Sequence, residues 1–189
     1  MSNKAKLFVI SAPSGTGKST VIDAVMNDTS ALKKLISYAT RAPRPGEKNG
    51  VDYNFVSVAE FEKMKNAGEL LEWATVYGNL YGTSLKTVET SLRAGKYLLK
   101  DIDTQGAMQL KAKLRDDAVL IFINPPTLQV LETRIRQRNS DSEQQIKTSM
   151  ENAKKEMSEA SKYDHVIIND ELKNAVDGLK KIISGYMTI

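Results

Sequence analysis

One short stretch near the start, Leu7 to Thr20, constrains this chain more than any other: LFVISAPSGTGKST. It opens as the apolar run Leu7-Phe8-Val9-Ile10, with the length and bulk of a buried strand. The run breaks into Ser11, Ala12, Pro13, Ser14, Gly15, Thr16 and Gly17, then closes on Lys18, Ser19 and Thr20. Beyond it Ile22, Val25 and Met26 fall on one face of a helix. Strand, glycine-rich turn and helix, with Gly-Lys-Ser at the junction, is the setting of a phosphate-binding loop. Consecutive backbone N–H groups must curl round the anion, and glycine permits that curl. The following helix presents its positive end to the same anion. Lys18 can reach the outer phosphates and the Ser19 hydroxyl can ligate Mg²⁺. Residues 12 to 20 are therefore the candidate triphosphate ligands. Ala12 departs from the strict pattern, which has glycine there.

The 189 residues fit one domain with excursions. With 27 Lys+Arg against 23 Asp+Glu the net charge is +4, enough to suit phosphate ligands and too little to indicate a nucleic-acid partner. There is no cysteine, which excludes disulfides and zinc–thiolate sites and fits a reducing compartment. The single histidine, His165, abuts Val166-Ile167-Ile168 and reads as structural. No apolar segment approaches the ~20 residues of a membrane span. The first apolar run is too short for a signal-peptide core, so the expectation is a cytoplasmic protein. A homo-oligomer stays open.

Apolar runs at 97–103, 119–123 and 165–168 read as three further buried strands, the last followed by Asn169. The 97–103 run ends on Asp101 and Asp103, and an acid at a strand's C-terminal end is where a phosphate-loop enzyme shapes its Mg²⁺ site. Lys100 is a charge inside that run, read as a side chain snorkelling from a sheet edge. Residues 33–41 suggest a short strand, and 53–58 alternate as an exposed strand. Helices are expected over 58–68, with Phe61 and Met64 inward, and over 86–94. Further helices are expected over 128–138, from the 139–142 break to about 160, and at the end, where Leu172, Val176, Leu179 and Ile183 form a stripe. Residues 77–84 are rich in turn formers. Strands alternating with helices predict a parallel α/β sheet with a ligand crevice at the strand C-terminal ends. Residues 37–88 and 136–150 do not fit that alternation and read as excursions closing over a ligand. That leaves 1–36, 89–135 and 151–189 as the core.

Three separated stretches carry a resemblance: SAPSGTGKST; SYATRAPRPGEKNGVDYNF with LLEWATVYGNLYGTS; and DIDTQGA followed by RIRQRNSDSE. Together they resemble the guanylate kinases, which transfer the γ-phosphate of ATP to GMP. The similarity spans nearly the whole chain, and the TRAPRPGE segment is far more specific than a phosphate loop alone. It implies a phosphate-loop core with an inserted GMP-binding part at 37–88, a lid at 136–150, and Mg²⁺ acting with ATP. It implies that Arg41, Arg44, Tyr53 and Tyr81 hold the GMP phosphate, and that Ser37, Glu72, Thr83 and Asp103 read guanine. Arg134 and Arg138 become lid-side arginines on the ATP phosphates. Asn169 lies near adenine, and Asp101 reaches Mg²⁺ through water. Lys18, Arg41, Arg134 and Arg138 are then the catalytic cations. In the lid helix the family usually has arginine at the position of Ser149. Either Lys147 or Arg136 covers that gap, or turnover is slow.

Chemistry supports Glu72 independently, since a carboxylate accepts from the N1–H and 2-amino groups of guanine together. By spacing alone, Glu72 beside Trp73 is equally an ordinary helix-end acid, and Asn169 equally a strand-end turn residue. A GTP-hydrolysing switch is suggested by Asp103-Thr104-Gln105-Gly106, but its guanine-reading motif is missing and the match reads as accidental. A guanylate-kinase-like module holding a phosphopeptide is the alternative from another class. Such modules have degraded phosphate loops, whereas Gly17, Lys18 and Ser19 are intact here.

Overall fold

The computed structural model describes residues 4–76, 78–137 and 142–187. In chain order it runs β1 (Leu7–Ser11), α1 (Lys18–Asp28), β2 (Leu32–Lys34), β3 (Tyr38–Ala39), β4 (Asn54–Phe55), α2 (Val58–Asn66), β5 (Leu70–Val76) and β6 (Asn79–Ser84). It continues through α3 (Leu85–Arg93), β7 (Tyr97–Asp101), α4 (Thr104–Leu114), β8 (Ala118–Asn124), α5 (Leu128–Arg136), α6 (Glu143–Ser158), β9 (His165–Ile168) and α7 (Leu172–Tyr186).

Five strands form a parallel sheet in the order β2-β7-β1-β8-β9. β1 is buried along its whole length and sits at the centre. That is why it reads as a continuous apolar run rather than an alternating one. One face packs Phe8, Ile10, Leu99 and Ile121 against Val21, Ile22 and Val25 of α1 and Val176, Leu179 and Ile183 of α7. The other packs Val9, Leu98, Leu120 and Phe122 against Leu110 of α4 and Val88 and Leu92 of α3. α5 and α6 share a smaller core of Leu131, Ile135, Ile146 and Ala153.

A second, four-stranded mixed sheet, β4-β3-β6-β5, is built from the chain between β2 and α3. β3 pairs parallel with β4 and antiparallel with β6, and β5 pairs antiparallel with β6. α3 packs on β7 of the larger sheet, so a boundary drawn at 88/89 falls inside this helix.

Four expectations need correction. Residues 79–84 form strand β6 despite their asparagine and glycine, because Gly82 lies against β5 and α2 where a side chain does not fit: a Cβ there would stand 2.9 Å from Phe61 Cζ and 3.0 Å from the Glu72 carbonyl oxygen. β9 is an edge strand, so Val166 and Ile168 are exposed and only Ile167 is buried. Leu172 opens α7 but lies outside its apolar stripe, exposed. Lys100 does not snorkel from an edge, because β7 lies between β2 and β1 and the residue is only 6% exposed. His165 is structural as expected, its Nε2 lying 2.9 Å from the Tyr186 hydroxyl.

Candidate active site

The phosphate loop joins β1 to α1 at the C-terminal end of the larger sheet. Gly15 and Gly17 have φ of +90° and +93°, which only glycine adopts without strain. Gly17 is the residue from which α1 starts, so the N–H groups of Lys18, Ser19 and Thr20 open toward the loop. Ala12 packs against the sheet core, which explains how a methyl is accommodated there. Pro13, Gly15, Lys18, Ser19, Asp103 and Glu156 are among the residues lining a cavity of about 400 Å³ over the loop. Lys18 Nζ lies 3.5 Å from Asp101 Oδ2. Burial acts to raise the Asp101 carboxyl, but Lys18, Lys100 and Lys34 outweigh it and hold the group below the usual carboxylate range.

Asp103 faces the same cavity and caps α4, its Oδ1 accepting from the Gly106 N–H at 2.7 Å. This cap accounts for the Asp-x-x-Gly spacing without a switch motif. Asp103 lies over the phosphate loop and within electrostatic reach of Glu72, whose carboxyl it pushes up. Glu156 of α6 escaped the sequence reading, which treated that helix as merely polar. Burial pushes its carboxyl up, Asp103 adds to the rise and Lys18 opposes it.

Arg134 and Asn169 meet behind the loop. Asn169 is 6% exposed, and its Nδ2 donates to the Thr16 carbonyl at 2.7 Å. Arg134 donates to the carbonyls of Thr16 (3.3 Å), Asn169 (3.0 Å) and Asp170 (3.1 Å). The guanidinium thus stitches α5, the phosphate loop and the end of β9 together rather than projecting over the loop. Both residues border an open hollow of about 430 Å³ that also takes in Gly17, Thr20 and Leu172. Asn169 is more than a turn residue, since its side chain fixes loop backbone.

Arg41, Tyr53 and Tyr81 converge on the second sheet. The Arg41 guanidinium lies 5.0 Å from the Tyr53 ring centre, and the two tyrosine rings are 5.8 Å apart. The chain itself holds Arg41: NH1 and NH2 donate to Glu47 Oε2 and Oε1 at 2.6 and 2.7 Å. Glu47 Oε2 also accepts the Arg44 N–H at 2.8 Å. These bonds hold the Glu47 carboxyl down at about 2. The Arg44 side chain is exposed at the same loop. Glu47 was legible only as part of the TRAPRPGE segment, without a role.

Glu72 and Thr83 face each other across β5 and β6, where a register shift between Leu70 and Glu72 turns Glu72 inward. Glu72 is 4% exposed and Thr83 fully buried, and Thr83 Oγ1 donates to Glu72 Oε1 at 2.5 Å. Burial pushes the Glu72 carboxyl up, while Thr83 and Lys100 hold it back. Ser37, also buried, accepts a hydrogen bond from Lys100 Nζ. Ser37, Glu47, Tyr53, Lys100 and Asp101 help line a cavity of about 150 Å³. Asp101 therefore belongs both to this cavity and to the Lys18 ion pair, so the two halves of the site meet at it.

On the lid side, Arg138 lies outside the described residues. Arg136 is engaged: it donates to Glu132 Oε1 at 2.8 and 3.0 Å and to Glu143 Oε1 at 2.5 Å. Lys147 lines a separate hollow between α5 and α6. Ser149 lies two helical turns before Glu156, hence on the same face of α6 as that cavity-lining carboxylate.

A guanylate kinase family model matches residues 4–186. A guanylate kinase of Desulfotalea psychrophila is 50% identical over 181 residues, covering 96% of this chain and 89% of its own. One from Geobacter sulfurreducens is 44% identical over 183 residues, covering 97% and 90%. The crystal structure of guanylate kinase from Anaplasma phagocytophilum matches with a TM-score of 0.77 and 32% identity, over 100% of this chain and 89% of that one. A shikimate kinase structure from Bacteroides thetaiotaomicron matches with a TM-score of 0.50 at 10% identity, a likeness of fold alone, over 95% and 98%. A phosphate loop joined through Asp101 to a second cavity lined by Ser37 and Tyr53, together with 50% identity to a relative over 96% of the chain, places the chain in the guanylate kinase family.

Proposed function

We propose that this protein phosphorylates GMP with ATP by in-line transfer between two phosphates that meet beside Asp101. The observation that carries this reading is the shared aspartate, which touches both the Lys18 side and the Tyr53 side of the crevice. Lys18 and the α1 N-terminus take the ATP phosphates, with residues 12 to 20 wrapped around them. Asn169 and Arg134 fix the loop, and adenine takes the hollow beside them. Arg41, Arg44, Tyr53 and Tyr81 take the GMP phosphate, which displaces Glu47 from the Arg41 fork. Ser37, Glu72, Thr83 and Asp103 take the base. A GMP phosphate oxygen is already a competent nucleophile, so the chain needs no general base. Its residues position the two phosphates and neutralise their charge. Residues 37–88 serve as the GMP-binding part and 136–150 as a lid that excludes water.

The oxygen donors here suit Mg²⁺, with Ser19 as the direct ligand and Asp101 acting through water. Among the described residues no three acidic or imidazole groups cluster to hold a metal, which fits an ion carried mainly by the nucleotide. When bound, Mg²⁺ neutralises charge on the transferring phosphate. Among the described residues no helix is long and apolar enough to cross a membrane. A cytoplasmic location suits both the cysteine-free composition and a nucleotide substrate. Nothing in the site favours phosphopeptide binding over nucleotide transfer.

A coupled assay with ATP and Mg²⁺, offering GMP, AMP, dTMP or water, tests the reading. GDP formation from GMP alone is expected. Lys18→Ala is expected to lower kcat about 10²–10³-fold with little change in the KM for GMP. No GMP-dependent turnover in the wild type, or an unchanged kcat in the variant, overturns it.

A further inference from the structure

Lys100 has no task in the reaction as described. It is a buried cation on an interior strand, 6% exposed. Strand alternation puts it on the Leu98 face of β7, at the end of the sheet nearest the GMP half of the site. Its Nζ donates to Ser37 Oγ. Burial pushes the Lys100 ammonium below the usual lysine range; Asp101 and Glu72 are the carboxylates that favour its charge, while Lys18 and Lys34 oppose it.

The chemistry of that one bond has a consequence for the base. An ammonium has three donors and no acceptor, whereas a hydroxyl has one proton and can turn it either way. By accepting from Lys100, Ser37 Oγ must direct its own proton elsewhere. Glu72 Oε1 already takes the Thr83 proton, which leaves its second oxygen to accept. With one lone pair taken by Lys100, Ser37 keeps its proton to donate on the side away from the lysine, and Glu72, within electrostatic reach of the same lysine, offers an acceptor. Guanine presents the complement, an acceptor at O6 next to donors at N1 and the 2-amino group. Adenine presents the reverse at the first position, an amino donor.

We propose that Lys100 is a specificity-determining positioning residue: it fixes Ser37 as a hydrogen-bond donor to O6 of the base and so selects a 6-oxopurine over a 6-aminopurine. This rests on Ser37 and Glu72 being the base contacts. Removing the lysine frees the Ser37 hydroxyl to rotate and accept, which relaxes the rejection of adenine.

The test compares GMP, IMP and AMP as acceptors in Lys100→Met, which keeps length and loses every donor. The preference for GMP over AMP in kcat/KM is expected to fall about tenfold, through KM. The GMP-to-IMP ratio is expected to stay within about twofold, because Glu72 still reads the 2-amino group. Lys100→Arg, whose head also only donates, is expected to keep the GMP preference, the reverse of what a space-filling role requires. In a Ser37→Ala background Lys100→Met is expected to add nothing to base preference. An unchanged GMP/AMP ratio in Lys100→Met, loss of preference in Lys100→Arg, or an effect persisting without the Ser37 hydroxyl each overturns the proposal. If Lys100→Met does not fold, the arginine variant carries the test. Failure of the underlying reading looks different: Ser37→Ala and Glu72→Gln would then leave GMP preference intact.

Discussion

At the residue scale, Glu72 sets function against stability. Burial raises its folded pKa above the ordinary value near 4.5. The folded chain therefore holds this proton longer than the unfolded chain does. The carboxyl costs nothing below about 4.5, and stability falls as pH rises through the raised value and stays lower at neutrality. Glu72→Gln keeps an acceptor for the Thr83 hydroxyl and removes the buried charge. Its expected Tm at pH 7 is above that of the wild type, the gap closing toward pH 4.5, while GMP turnover collapses. Calorimetry across that range checks this, and a Tm gap independent of pH would refute it. The guanine-reading role proposed for Glu72 came from the family resemblance, with the donor pair of guanine in support. The roles of Lys100, Glu47 and Glu156 were not legible in the sequence, because each depends on a partner that sequence spacing does not reveal. The hydroxyl that Lys100 orients is 63 positions away.

At the scale of elements, legibility followed topology. β1, β7 and β8 lie inside a parallel sheet, so their runs of apolar residues announced them. β9 carries a similar run, yet its edge position leaves two of its residues in water. No pattern within four residues distinguishes those cases. β6 was hidden because Asn79 and Gly82 belong to the vocabulary of turns. Gly82 is there for closeness: it lets β6 approach β5 and Phe61, and its neighbour Thr83 reach Glu72. Gly82→Ala puts a methyl 3.0 Å from a main-chain oxygen that cannot swing away. The expected cost is about 1–3 kcal/mol, or a Tm fall of about 2–4 °C per kcal/mol. Discrimination of GMP from IMP should weaken with it. Unaltered thermal unfolding and unaltered discrimination would show that β6 has slack.

For the whole molecule, α6 links the small α5–α6 core to the phosphate loop, carrying Ser149 and Glu156 on one face. Arg136, one of the two cations offered as cover for the missing lid arginine, is held between Glu132 and Glu143. Ser149→Arg places a guanidinium over the cavity that holds Lys18. An arginine supplied to a phosphoryl-transfer site is worth roughly 10³–10⁵ in rate where it is wholly lacking. With Lys18 already present, a rise in kcat of about tenfold or more is expected, read in the same coupled assay. An unchanged kcat means that nothing is missing at this position. The central place of β1 has a consequence of a different kind, for synthesis. Its register partners in β7 begin at Leu98 and those in β8 at Ala118. Translation at about 5–20 residues per second leaves the run Leu7-Phe8-Val9-Ile10 without either neighbour for roughly 5–20 s. The loop it leads into is fastened by Arg134 and Asn169, which emerge later still. β1 thus precedes every partner that completes it, and the phosphate loop gains its fastening only after Arg134 and Asn169 have emerged.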